Sequence, residues 1–132
     1  MAHVRAAHDS GTSLLLPLLA RTATVLTTVT SPRGARGAII LINSTEITAT
    51  PIVTVTIELL DGDGAYTEVY WTAAATITTA ADTSYIFYPG VTAADVDVTE
   101  EISAPIPREW QLTLTHTDAD SITYSVFVQW LF

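Results

Sequence analysis

The sequence predicts an all-β chain, an antiparallel sandwich of jelly-roll or immunoglobulin-like type with seven or eight strands behind an extended N-terminal arm. Three observations predict it. Threonine, valine and isoleucine dominate from Arg21 onward, apolar and polar residues alternate with a period of two in several segments, and Pro, Gly and Asp clusters punctuate them at short intervals. No segment has helical spacing. At 132 residues the chain is long enough for one domain with a sizeable core.

Residues 1–12, MAHVRAAHDSGT, show no periodicity and are expected as a flexible leader. With SLLLPLLA (13–20) they form an arm over residues 1–20, ahead of a sandwich domain at 21–132. SLLLPLLA is too short for a membrane span, which needs about 20 residues. Pro17 and the lack of a small-residue cleavage site make it a poor signal peptide. It is expected to lie extended on an apolar neighbour.

RTATVLTTVT (21–30) reads as the first strand, ended by Ser31-Pro32 and Gly34. AIILIN (38–43) is apolar on both faces, as a central strand covered on both sides should be. Val53, Val55, Ile57 and Leu59 then share one side of a strand whose other side is Thr54, Thr56 and Glu58. DGDG (61–64) reverses the chain into AYTEVYW (65–71). ATITTA (75–80) and SYIFY (84–88) follow as shorter strands about Ala81-Asp82, and Pro89-Gly90 is a turn. Residues 91–107 are an acidic, alanine-rich connection with Pro105 and Pro107, long enough to cross between sheets. Next, Trp110, Leu112, Leu114 and His116 face away from Gln111, Thr113, Thr115 and Thr117. In the last strand Ile122, Tyr124, Val126, Val128, Trp130 and Phe132 share a face, while Phe127 and Leu131 lie opposite. That second face is not fully polar, so part of it is expected to meet another chain.

Composition bounds the function. Hydrophobic residues make up 48% and charged residues 14%, against about 25% charged in ordinary soluble domains. Threonine must cover much of the surface, and such a surface is weakly defended against association. A subunit of an assembly, a homo-dimer or homo-trimer, fits better than a free monomer. The net charge of −9 is uneven: four arginines face one aspartate up to Gly37, and one arginine faces thirteen acids beyond it. An acidic body without lysine disfavours nucleic acid, and no membrane segment is present. With no cysteine, disulfides and thiolate metal sites are excluded.

The densest polar cluster is HTDADS (116–121). A hydrolytic triad needs side chains converging from separate elements onto a supported nucleophile; His116, Asp118 and Ser121 are instead neighbours in one reversal, and no G-x-S-x-G turn exists. Asp118 with Asp120, and Asp61 with Asp63, each begin like a calcium loop, but both lack the later ligands such a loop supplies. The two loops would have to share an ion to complete a site, so neither a metal nor any cofactor is expected. A hairpin turn explains the cluster, with aspartates capping backbone amides and His116 half-buried. Trp71, Trp110 and Trp130, with Tyr66, Tyr70, Tyr85 and Tyr88, are expected as core rather than as a sugar-stacking platform. Arg108 is expected to pair with Glu109 or Glu100.

YPGVTAA (88–94), PREWQLTLTH (107–116) and DADSITYSV (118–126) resemble the C-terminal pattern of small tailed-phage virion proteins. LLARTATV (18–25), RGAIILI (36–42) and TPIVTVTIELLDG (50–62) look like its earlier part. The chain departs from that group in a DGDGAYTEVYW stretch without lysines and in a bulkier QWLF end. The resemblance implies a non-enzymatic capsid decoration, or cement, protein on the outer surface of a virion assembled in the host cytoplasm, with the major capsid protein as partner. Expected contact residues are Leu14, Leu15, Leu16, Leu18, Leu19 and Arg21 in and beside the arm, and Phe127, Leu131 and Phe132 at the C-terminal edge. The alternatives are a carbohydrate- or calcium-binding module of a fibre or surface protein, and a head-tail connector or tail component.

Overall fold

The computed structural model describes residues 12–61, 63 and 67–132. They form no helix and nine strands: β1 (Thr12–Arg21), β2 (Val25–Thr30), β3 (Gly37–Ile47), β4 (Val53–Leu60), β5 (Thr67–Thr72), β6 (Asp82–Phe87), β7 (Glu100–Ile102), β8 (Glu109–His116) and β9 (Ile122–Leu131). One sheet has the order β1-β9-β3-β6-β7 and the other β2-β8-β4-β5. Most successive strands change sheets, and the chain's first and last strands lie side by side. With β7 set aside, the two four-stranded sheets have jelly-roll connectivity, which decides between the two sandwich types expected.

The alternating segments form strands because one face of each can be buried between the sheets. Val53, Val55 and Ile57 of β4, Trp110, Leu112 and Leu114 of β8, and Ile122, Tyr124, Val126 and Val128 of β9 are almost wholly buried in one core. Ala38, Ile40 and Ile42 of β3 join them. Gly37 begins β3 where the backbone of β6 comes so close that a Cβ would overlap the Phe87 carbonyl oxygen. A side chain there has no room.

Several elements differ from the expectation. The leader, apart from Thr12, lies outside the described residues. Residues 12–21 are not a free arm but β1, paired antiparallel with β9 from Thr12↔Gln129 to Arg21↔Ile122. The register shifts on either side of Leu16 break the alternation, which hid a strand that buries Leu16. RTATVLTTVT is therefore split: Arg21 closes one sheet and Val25 opens the other. ATITTA is no strand; only Ile77 bridges to Val53, through two hydrogen bonds of 2.8 and 3.0 Å. AIILIN is central, between β9 and β6, but is not covered on both sides, since Leu41 is 40% exposed. The acidic connection does cross between sheets, with β7 pairing parallel to β6 on the way.

The turn at 117–121 is the sharpest correction. β8 and β9 belong to different sheets, so HTDADS is an arch over the end of the sandwich and no hairpin. Asp118 Oδ1 accepts from the Asp120 amide at 3.1 Å, and Asp120 Oδ2 accepts from the Thr50 amide at 3.1 Å. The carboxylates thus tie the arch to itself and to the β3–β4 connection.

Candidate functional surface

The two outer faces differ in chemistry. On the β2-β8-β4-β5 sheet, Glu58 Oε1 accepts from Thr113 Oγ1 at 2.7 Å and from Gln111 Nε2 at 3.0 Å, so the middle of that face is a satisfied polar patch. The exposed apolar residues of that face, Leu26 and Val69, lie on its edge strands, whereas the other sheet carries leucine and phenylalanine across its middle. Leu14 of β1 stands opposite Phe127 of β9, and Phe127 opposite Leu41 of β3, forming one apolar rung across three strands. Leu14 is 54% exposed and Phe127 half-buried. The next rung toward the chain's C-terminal strand end places Gln129 beside Ile39 and Ile39 beside Ile86.

Beyond it the face becomes a groove of about 450 Å³. Ile86, Tyr88, Val91, Val96, Leu131 and Phe132 line it, and Asp95 is the acid at its margin. Asp95 Oδ2 is already engaged by the amide and hydroxyl of Thr92, at 3.1 and 3.0 Å. Phe132 is 55% exposed. The apolar face therefore runs from the β1 edge to the 88–96 loop.

The expected contact residues divide. Leu14, Leu18, Leu19 and Phe132 are exposed, and Leu131 and Phe127 are half-buried. Leu16 is in the core of this chain and Leu15 packs against it. Arg21 is also engaged internally: its guanidinium lies 5.1 Å from the Tyr124 ring centroid, and Nη2 donates to the Pro17 carbonyl at 2.6 Å. Leu41 and Ile39 were missed. Their signal was the AIILIN run itself, whose odd-numbered positions face outward.

The chemical candidates are held in other roles. His116 Nε2 and Tyr124 Oη share a hydrogen bond at 3.0 Å. Burial, with a smaller effect of Arg21, lowers the His116 pKa against the opposing pull of Asp118. Burial also pushes the Tyr124 hydroxyl up to about 12. The loop carrying Asp61 and Asp63 cannot share an ion with Asp118 and Asp120. Val53 pairs with His116 at one end of β4 and Leu59 with Trp110 toward the other, so the loops are roughly 25 Å apart along the strand. Among the described residues, no three His, Cys, Asp or Glu side chains are grouped to hold a metal.

Trp110 and Tyr85 are buried, and Trp130 nearly so. Trp71 packs edge-on against Tyr85 and Phe87, with centroids 4.9 and 5.0 Å away; Tyr66 lies outside the described residues. Glu100 is not paired with Arg108: its carboxylate accepts from Trp71 Nε1 and the Ala74 amide, both at 3.0 Å. Arg108 Nη1 donates instead to the Ser31 carbonyl at 2.7 Å. Ser31 lies 77 residues away, a partner no local pattern marks.

Comparison with protein-family models, curated proteins and solved structures gave no match.

Proposed function

We propose that this chain is a capsid decoration protein of a tailed phage, seated on major capsid subunits by the apolar outer face of the β1-β9-β3-β6-β7 sheet. The Leu14–Phe127–Leu41 rung, continuous with the Leu131–Phe132 groove, is the observation that carries this reading. Contiguous apolar surface of this kind marks interaction sites. Support also comes from the resemblance of the sequence to small virion proteins and from the jelly-roll connectivity, which viral capsid domains share with lectins and cupins. Connectivity alone does not select a function. The mechanism is burial of this face against a subunit junction, repeated over a lattice, so that many modest contacts add up to shell stability.

The test is co-sedimentation with shells of the capsid protein, comparing the native chain with a Leu14→Gln, Leu41→Gln, Phe127→Gln variant. Shell binding should drop by at least about ten-fold, with the variant still folded because none of the three side chains belongs to the core between the sheets, although loss of half-buried Phe127 lowers the unfolding midpoint. Undiminished binding by a folded variant would remove the basis of the proposal.

A further inference from the structure

A second site lies at the end of the sandwich where the β2–β3 and β7–β8 connections meet. Ser31, Pro32, Arg33, Gly34, Ala35, Ile106 and Arg108 line an open pocket of about 380 Å³. Its lining holds two arginines and no acid, in a chain with 14 acids against 5 basic residues. Arg33 stands at the tip of a turn closed by the Ala35 amide donating to the Pro32 carbonyl at 3.1 Å, with Gly34 at φ 88° as such a turn requires. Its guanidinium has no hydrogen bond or ion pair with any described residue. Arg108 is fixed by its bond to the Ser31 carbonyl, which leaves other donors of its fork.

The frame beneath is rigid. Ser31 is 2% exposed, its amide donates to the Arg108 carbonyl at 2.8 Å, and its hydroxyl joins Pro107 to the Trp110 indole. Two arginines lining one pocket of an otherwise acidic molecule favour an anion there. Planar guanidinium forks match a carboxylate through paired hydrogen bonds. Pro32 and Ala35, over the buried Ile106, supply a smaller apolar part of the wall. A polyphosphate fits poorly, because every phosphate beyond the two arginines would face the acidic remainder of the chain.

We propose that this pocket binds a carboxylate side chain flanked by apolar residues, presented by a partner protein. The pocket adjoins Phe132 of the apolar groove across Gly34 but shares no lining residue with it, so its failure would leave the shell-binding proposal standing.

The test is a titration of the ¹⁵N-labelled full chain with the capped peptide acetyl-Ala-Glu-Leu-Ala-amide, its glutamine counterpart and sodium phosphate, each to on the order of 10 mM. The glutamate peptide should shift the amides of residues 31–35 and the Trp110 indole N–H saturably, and added salt should weaken it. The glutamine peptide, or the Arg33→Gln variant, should bind about ten-fold more weakly. Arg33→Gln breaks no internal bond, so it separates binding from folding, whereas Arg108→Gln also releases Ser31. Absence of saturable shifts, equal binding of both peptides, or phosphate binding tighter than the glutamate peptide would each overturn the proposal.

Discussion

Ser31 shows how much one small side chain can hold. Its amide, carbonyl and hydroxyl join Arg108, Pro107 and Trp110, across 76 to 79 residues of sequence. Ser31→Ala leaves the indole N–H of a fully buried tryptophan without an acceptor, which costs about 1–3 kcal/mol. A lower urea midpoint with an unchanged slope is expected. His116 supplies a pH dependence. Its pKa in the fold is below the usual histidine value, with Arg21 on β1, Tyr124 on β9 and Asp118 in the arch as its neighbours. The unfolded chain therefore takes up a proton more readily, and stability falls as pH drops below about 6.5 toward the lowered value. Urea midpoints measured from pH 7.5 to 5 should decline, and His116→Gln should flatten that decline; a flat native profile would contradict the assignment. Ala49 has φ 59°, a left-handed conformation that disfavours a Cβ. Ala49→Gly should therefore raise the thermal midpoint, by the equivalent of roughly 1 kcal/mol or less, because glycine's greater unfolded-state entropy offsets part of the relief.

β4, β8 and β9 were legible in the sequence because each buries one face and turns the other to solvent, so their chemistry repeats every second residue. β1 was not legible, since its bulges and Pro17 scramble the leucines between faces. β7, with three half-buried residues, carries no pattern to read. Outward-facing Leu41 looked like core because a run of apolar residues cannot say which of its two sides is covered. The apolar surface was thus half visible, through Leu14, Phe127 and Leu131, while the arginine pocket depends on contacts between distant loops. Gly37 predicts its own outcome: Gly37→Ala would force β3 away from the Phe87 carbonyl and destabilise by about 3 kcal/mol or more, read as a large loss of thermal midpoint.

For the molecule as one body, β1 changes how an N-terminal truncation must be interpreted. Removing residues 1–11 leaves every described strand intact, whereas removal through Arg21 uncovers the β9 edge and takes Leu16 from the core. The truncation through Arg21 should melt lower or aggregate, as differential scanning fluorimetry and light scattering would report. Loss of shell binding in the long truncation alone would say nothing about a leucine contact. The two loops with aspartate pairs stand at opposite ends of the sandwich, so their carboxylates cannot meet around one ion. Because β9 is wedged between β1 and β3, β1 has no strand partner, β3 has only β6, and the core lacks Ile122, Tyr124, Val126 and Val128 until residues 122–131 have been synthesised and have left the ribosome. Nascent chains stalled before Ile122 should therefore remain protease-sensitive, and the sandwich should close as a late, nearly all-or-none event.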